Sequence, residues 1–428
     1  MKKDRFDKMI LGEGQIYSTN PEFTGLNNNV VVIGASGSGK RMSVTEARLL
    51  QAYNSSLIVT ATKRRIIEKY MSMLKERGYN VWDLNFVSPQ QSVGYDPLKY
   101  IGGYSDISNL ARSLVMSDPR KALSRSADPF WDQAATSLLS AEIGYIFLTT
   151  ESASFNDVLK LHRSLSFEER EYSIKTNLDD QFEKIIESNP SGFIASCWKT
   201  FSALPQRTAA CVYSTLSTSL DAIFSPEVCK IFDHQDQIDL SKLANEKTVL
   251  FITSSPVNPH LNSLINIFYG QAFRALFEIA ENETDGALRV PVSIIADDFA
   301  TGCPIPNFDE YISIFREKGM SMTLLLQSES QLAALYGAER ATTILNNCDT
   351  YLFLGSNDLT TANHISLRAD RPLSEILTLP LGQEILFRRG HKPVFTKRYD
   401  IVNDECYQKV TRQYNEILLH KWEDERRN

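Results

Sequence analysis

Three stretches carry residues whose types and spacing suit polyphosphate chemistry. The first is Gly34-Ala35-Ser36-Gly37-Ser38-Gly39-Lys40-Arg41. Glycines at 34, 37 and 39 let the backbone curl until successive N–H groups point inward. Lys40 can then reach the β- and γ-phosphates of a nucleotide such as ATP. The second is Asp297-Asp298, two carboxylates closing an apolar run. Asp297 could hold Mg²⁺, directly or through water, and Asp298 could polarise an attacking water. The third is Gln327, just past another apolar run, where it can sense a γ-phosphate or orient water. The plainer alternatives are a chance glycine turn for the loop, and a helix cap or surface charge for the acidic pair.

One position departs from the phosphate-loop pattern. A G-x-x-x-x-G-K loop ends in Ser or Thr, whose hydroxyl ligates Mg²⁺, and Arg41 stands there instead. Arginine has no acceptor atom. At about 4 Å and an effective dielectric of roughly 20, each like unit-charge pair costs about 4 kcal/mol. Arg41 is expected to escape the cation by swinging to solvent or by binding phosphate. Nucleotide affinity would survive, while Mg²⁺ binding and hydrolysis would weaken.

These groups need strands to position them. Val30 to Ile33, four β-branched residues, reads as a buried strand before the loop, and Met42 to Tyr53 as a helix after it. Further strands are read at 57–60, 79–86, 248–253, 292–296, 322–326 and 351–354. A helix at 66–77 is stopped by Gly78, another runs over 261–280, and the tail from Asp404 reads as a surface helix. This alternation predicts an α/β fold with a parallel sheet, whose carboxyl edge collects the polar groups. From 105 to 200 the periodicity is helical. Asp128 caps a helix that Pro129 starts, with Trp131, Ala134, Leu138, Leu139 and Ile143 as its apolar positions. The expected division is 1–104, the loop part of a nucleotide-binding domain; 105–203, an inserted all-α domain; and 204–428, the part with the acidic pair.

Composition narrows the function. The chain has 428 residues with 43% hydrophobic and 23% charged content, ordinary for a globular protein. A net charge of −7 gives no global case for nucleic-acid binding, although a local basic lining is compatible with it. Lys63, Arg64 and Arg65 are the candidate cations for such a lining, with a solvated helix face as the commoner home of a charge run. The six cysteines form no C-x-x-C pair, which suits a reducing compartment. No signal peptide or apolar span is read. A nuclease or metal hydrolase is disfavoured without a His/Asp cluster, and an ABC-type ATPase without L-S-G-G-Q.

From about Asn27 to Tyr399 the chain resembles the coupling proteins of conjugative type IV secretion systems. The stretches that carry this are V-I-G-A-S-G-S-G-K, D-P-F-W at 128–131, A-D-D-F-A-T-G-C-P-I-P-N-F-D at 296–309, L-L-L-Q-S at 324–328 and N-C-D-T-Y-L-F-L-G at 347–355. The resemblance implies a RecA-like P-loop domain with an inserted all-α domain, ATP with Mg²⁺, and a hexameric ring. It implies plasmid conjugation, with a relaxase bound to single-stranded DNA and the ATPases of the secretion channel as partners. By position, Lys40, Asp297, Asp298, Arg316 and Gln327 match the family's phosphate, magnesium, water-activating, arginine-finger and sensing residues. Arg316 also reads as a solvated helix charge.

The departures are Arg41, the stretch Thr60-Ala61-Thr62-Lys63-Arg64 in place of an acidic one, and Asp298 in place of Glu. The family's membrane anchor is not seen, so the chain is either a version that lacks it or a shortened form; in the first case it is expected to be cytoplasmic and recruited to the inner face of the membrane by a separate anchor subunit. Two functions follow: a DNA translocase with weakened hydrolysis, or a degenerate adaptor that docks the relaxosome.

Overall fold

The computed structural model describes residues 6–61, 64–117, 128–168, 175–253 and 260–427. Its strands are β1 Lys8–Ile10, β2 Ile16–Ser18, β3 Val30–Ile33, β4 Ser56–Ala61, β5 Asn80–Asn85, β6 Phe167–Glu168, β7 Lys175–Thr176, β8 Thr248–Thr253, β9 Val292–Ala296, β10 Met320–Leu326, β11 Thr350–Phe353, β12 Gln383–Arg388 and β13 Val394–Lys397. Nine of them form one sheet in the order β13-β12-β11-β3-β10-β9-β4-β8-β5. The run from β11 to β5 is parallel, and β12 and β13 add an antiparallel edge.

The four residues of β3 show why a continuous apolar run becomes a central strand. Val31 and Ile33 enter the core on one sheet face, and Val30 and Val32 the core on the other. The first face is covered by the helix His260–Glu281 and the helical region. The second is covered by the helices Ala47–Leu50, Arg65–Glu76 and Glu405–Arg427. The helix Arg65–Glu76 buries Ile66, Ile67, Tyr70, Met73 and Leu74, a single stripe. Gly78 ends it at φ 79°, a conformation open to glycine.

Within 105–203, expected to be all helical, the short antiparallel pair β6–β7 interrupts the helices. Asp128 accepts from the Phe130 N–H at 3.0 Å and Pro129 opens the helix Pro129–Thr149. Ala134, Leu138, Leu139 and Ile143 are buried, but Trp131 is 42% exposed and meets Phe130 edge-on. It sits in the first turn, before the helix enters the core. The helix Gln206–Ile223 touches both the helical region and the helix His260–Glu281 under the sheet. The N-terminal hairpin β1–β2 and the hairpin β12–β13 were absent from the sequence reading.

Candidate functional site

Parallel strands point their carboxyl ends one way, so the loop after β3, Gln327 after β10 and Asp297-Asp298 after β9 share one edge. β3, β10 and β9 are adjacent, which sets Gln327 between the loop and the acids.

The loop is suspended from its neighbours. Gly34 N–H donates to the Leu326 carbonyl at 3.1 Å and Ala35 N–H to the Gly355 carbonyl at 2.9 Å. Gly37 and Gly39 take φ of 80° and 87°, the left-handed region where a side chain is strained. The Ser38 hydroxyl oxygen is buried without a hydrogen-bond partner. Lys40 folds back so that Nζ donates to the Gly34 carbonyl and, at 3.2 Å, to the Ala35 carbonyl. Burial holds its ammonium below the ordinary lysine range, while Asp298 and Asp297 oppose that shift. An orphaned hydroxyl, a glycine turn and a lysine resting on carbonyls fit a polyphosphate.

Arg41 does not swing out to solvent. It opens a wide π-helical turn, Arg41–Glu46, a form that recurs at functional sites. From there it crosses to β9, where Nε donates to Asp297 Oδ2 at 2.6 Å and Nη2 contacts the same oxygen. The expectation missed this because the partner lies 256 residues along the chain. Burial raises the Asp297 carboxyl above its ordinary range; Arg41 opposes the shift and Asp298 adds to it. A half-buried Asp298 follows with φ of 53°. The donor set does not fit Mg²⁺ in the usual P-loop manner: the hydroxyl is missing and Asp297 Oδ2 is engaged by a cation. Among the described residues, no cluster of three or more His, Cys, Asp or Glu could hold a metal.

Gln327 is exposed at its strand end; its N–H donates to Gln331 Oε1 at 3.3 Å, and its carbonyl accepts from the Ser356 hydroxyl at 3.3 Å. Arg316 lies just before β10, at the opposite, amino edge. It donates to the Gly25 carbonyl at 3.3 Å and the Pro21 carbonyl at 3.5 Å. Of the basic run, Arg64 donates to Gln91 Oε1, Arg65 is exposed, and Thr62 and Lys63 lie outside the described residues.

Two groups at this edge escaped the sequence reading. The register of β12 and β13 brings Glu384 and Arg398 to the loop's edge. Arg398 Nη1 donates to the Ser38 carbonyl at 2.6 Å, and Glu384 is buried with neither carboxyl oxygen bonded. The only cue was the K-R-Y-D stretch at 397–400, which belongs to no motif.

The family described as type IV secretory system conjugative DNA transfer matches residues 1–371. The chain belongs to that family. Among curated members of this conjugative-transfer group, it is 23% identical to the conjugal transfer protein TraG of Rhizobium radiobacter over 81% of this chain and 53% of TraG. It is 24% identical to the coupling protein VirD4 of Bartonella quintana over 72% of this chain and 46% of VirD4. The chain thus spans about half the length of these relatives. In fold it is similar to the conjugative coupling protein TrwBΔN70 in complex with sulphate, with a TM-score of 0.63 and 17% identity over 87% of this chain and 85% of that one. VirB4 of Thermoanaerobacter pseudethanolicus shares the fold more distantly, with a TM-score of 0.53 and 13% identity over 89% and 91% of the two chains. The RecA-like P-loop α/β fold is therefore that of the coupling-protein family. No helix among the described residues is long and apolar enough to cross a membrane.

Proposed function

We propose that this chain is the nucleotide-binding part of a coupling protein that links a relaxase–single-stranded DNA complex to the ATPases of a conjugative secretion channel. The observation that carries the reading is the convergence of the Gly34–Lys40 loop, Gln327 and Asp297-Asp298 on one sheet edge. Structures of TrwB with ADPNP and with ADP and Mg²⁺ support it by fold.

A bound triphosphate supplies the anhydride whose cleavage can drive movement. Loop amides bind its phosphates, and Lys40 leaves the Gly34 and Ala35 carbonyls for the stronger phosphate partner. Asp298 accepts a proton from water that Gln327 orients. Arg316 stands at the far edge from its own loop, so it acts as a finger only toward a neighbouring copy in a ring. Arg41, paired with Asp297, supplies the positive charge at the position where a cation is expected. Nucleotide binding is then insensitive to Mg²⁺ and turnover is weak. The chain acts at the inner face of the membrane.

The Arg41–Asp297 contact also favours a second reading, an adaptor in which nucleotide is structural. The test is ATP turnover with and without single-stranded DNA, at several salt concentrations. Stimulation by DNA, with DNA affinity falling steeply as salt rises, supports the translocase. No turnover and no DNA binding even at low salt supports the adaptor. A protein that binds neither ATP nor ADP overturns both.

A further inference from the structure

We infer that Arg398 is a positioning residue of the phosphate loop: from the end of β13 it grips the Ser38 carbonyl on the loop's outer side and so keeps the Gly39 N–H turned into the cradle. This rests on reading the loop as a phosphate site.

The argument begins with peptide geometry. A trans peptide is planar, with its C=O and N–H pointing in opposite directions. Whatever fixes the Ser38 carbonyl also fixes the Gly39 N–H, which belongs to the same plane. Arg398 Nη1 donates to that carbonyl at 2.6 Å. The amide on the other side is one of the inward donors that an anion needs.

Steric evidence agrees. The Arg398 guanidinium lies so close to Gly39 that a Cβ there would overlap it. Gly39 also has φ of 87°. The positive φ is what demands glycine; a side chain there would also push the Arg398 guanidinium away from the loop.

Arg398 is itself firmly placed. Its N–H donates to the Gly382 carbonyl at 2.8 Å, and the preceding Lys397 carbonyl accepts from the Glu13 N–H at 2.8 Å. β13 is paired in register with β12, and β12 with β11, the strand beside β3. Arg398 makes no ion pair among the described residues, and its charge bears on both the Ser38–Gly39 peptide and the nearby Glu384 carboxyl. A charged donor polarises that peptide and makes its N–H a better anion donor.

The family match ends at residue 371, so Arg398 lies outside it. The C-terminal hairpin therefore completes the phosphate site from beyond the matched region.

The experiment measures ADP and ADPNP affinity by calorimetry for wild type, Arg398→Ala, Arg398→Lys and Lys40→Ala, with thermal unfolding of each nucleotide-free protein. A charge-assisted hydrogen bond implies a loss of roughly ten- to hundredfold in Arg398→Ala. Arg398→Lys, which keeps one charged donor, is expected to recover part of it. Hydrogen exchange at the Gly39 amide gives a second readout: saturating nucleotide is expected to slow it in wild type and to slow it less in both Arg398 variants. Wild-type affinity in Arg398→Ala, an equal loss in Arg398→Lys, or Gly39 exchange slowed as much in the Arg398 variants as in wild type overturns the inference while leaving the phosphate site intact. If wild type binds neither nucleotide, the underlying reading of the loop fails instead.

Discussion

Arg41 and Asp297 are joined across the mouth of the phosphate loop, Nε to Oδ2 at 2.6 Å. The residue that should lend a hydroxyl to a metal instead holds the carboxylate that should share it. Asp297 is 7% exposed, so the guanidinium is the main compensation for its carboxylate's lost solvation.

Exchanging the cation should be measurable. Arg41→Thr restores a hydroxyl and frees Asp297, so steady-state phosphate release is expected to rise about tenfold or more, since each 1.4 kcal/mol is a factor of ten in rate. A dependence on Mg²⁺ concentration should appear with it. Brisk turnover by the natural protein, with no gain in the variant, would contradict the role given to Arg41.

Lys40 rests on the Gly34 and Ala35 carbonyls, an arrangement a phosphate can displace. Lys40→Ala is expected to abolish ADP and ATP binding in calorimetry without lowering the thermal stability of the nucleotide-free protein. Equal affinity in the two proteins would dismiss the loop as a nucleotide site.

Glu384 gives a pH prediction. Burial pushes its carboxyl from 4.5 up to about 8, with Arg398 opposing. The folded chain therefore keeps a proton that the unfolded chain releases. Stability linked to that proton is complete below about pH 4.5 and is lost as pH rises through about 8. Glu384→Gln removes the titration while keeping the shape. It should match wild type near pH 4.5 and exceed it at pH 8.5, by up to about 4 kcal/mol. Denaturant midpoints at the two pH values check this, and a gain independent of pH would refute it.

In the helical region, Glu142 and His162 are both buried, with His162 Nδ1 2.9 Å from Glu142 Oε2 and Nε2 2.9 Å from the Ser217 hydroxyl. Removing one partner of a buried pair strands the other, so His162→Leu should cost about 3–5 kcal/mol. Replacing both, Glu142→Leu with His162→Phe, should cost clearly less. Urea titrations of the three proteins decide it. A double variant worse than the single one would show that packing outweighs the charge.

The phosphate loop was legible because its requirements are local: β-branched residues for a buried strand, glycines for positive φ, a lysine at fixed distance. The acidic pair and Gln327 were legible for a related reason, since each ends an apolar run and parallel strands collect such ends at one edge. Arg41's partner was not, because no local pattern links residue 41 to residue 297. The strands Lys8–Ile10 and Ile16–Ser18 are too short to show periodicity. Gln383–Arg388 and Val394–Lys397 close the sheet edge through pairing that only the folded chain displays, and Arg398 was missed along with them. Trp131 was assigned to the core by spacing, but a first-turn residue can keep the spacing and still face water.

The turn between β1 and β2 has a mechanical consequence. Glu13 grips the Lys397 carbonyl, Gly12 lies against Glu384, and the next residue along, Arg398, grips the phosphate loop at Ser38. This is a short rigid linkage from the amino-terminal hairpin to the cradle. A load applied to the turn at Gly12–Glu13 would be felt at β13 and next at the loop, so that tension on that turn and occupancy of the cradle would act on each other.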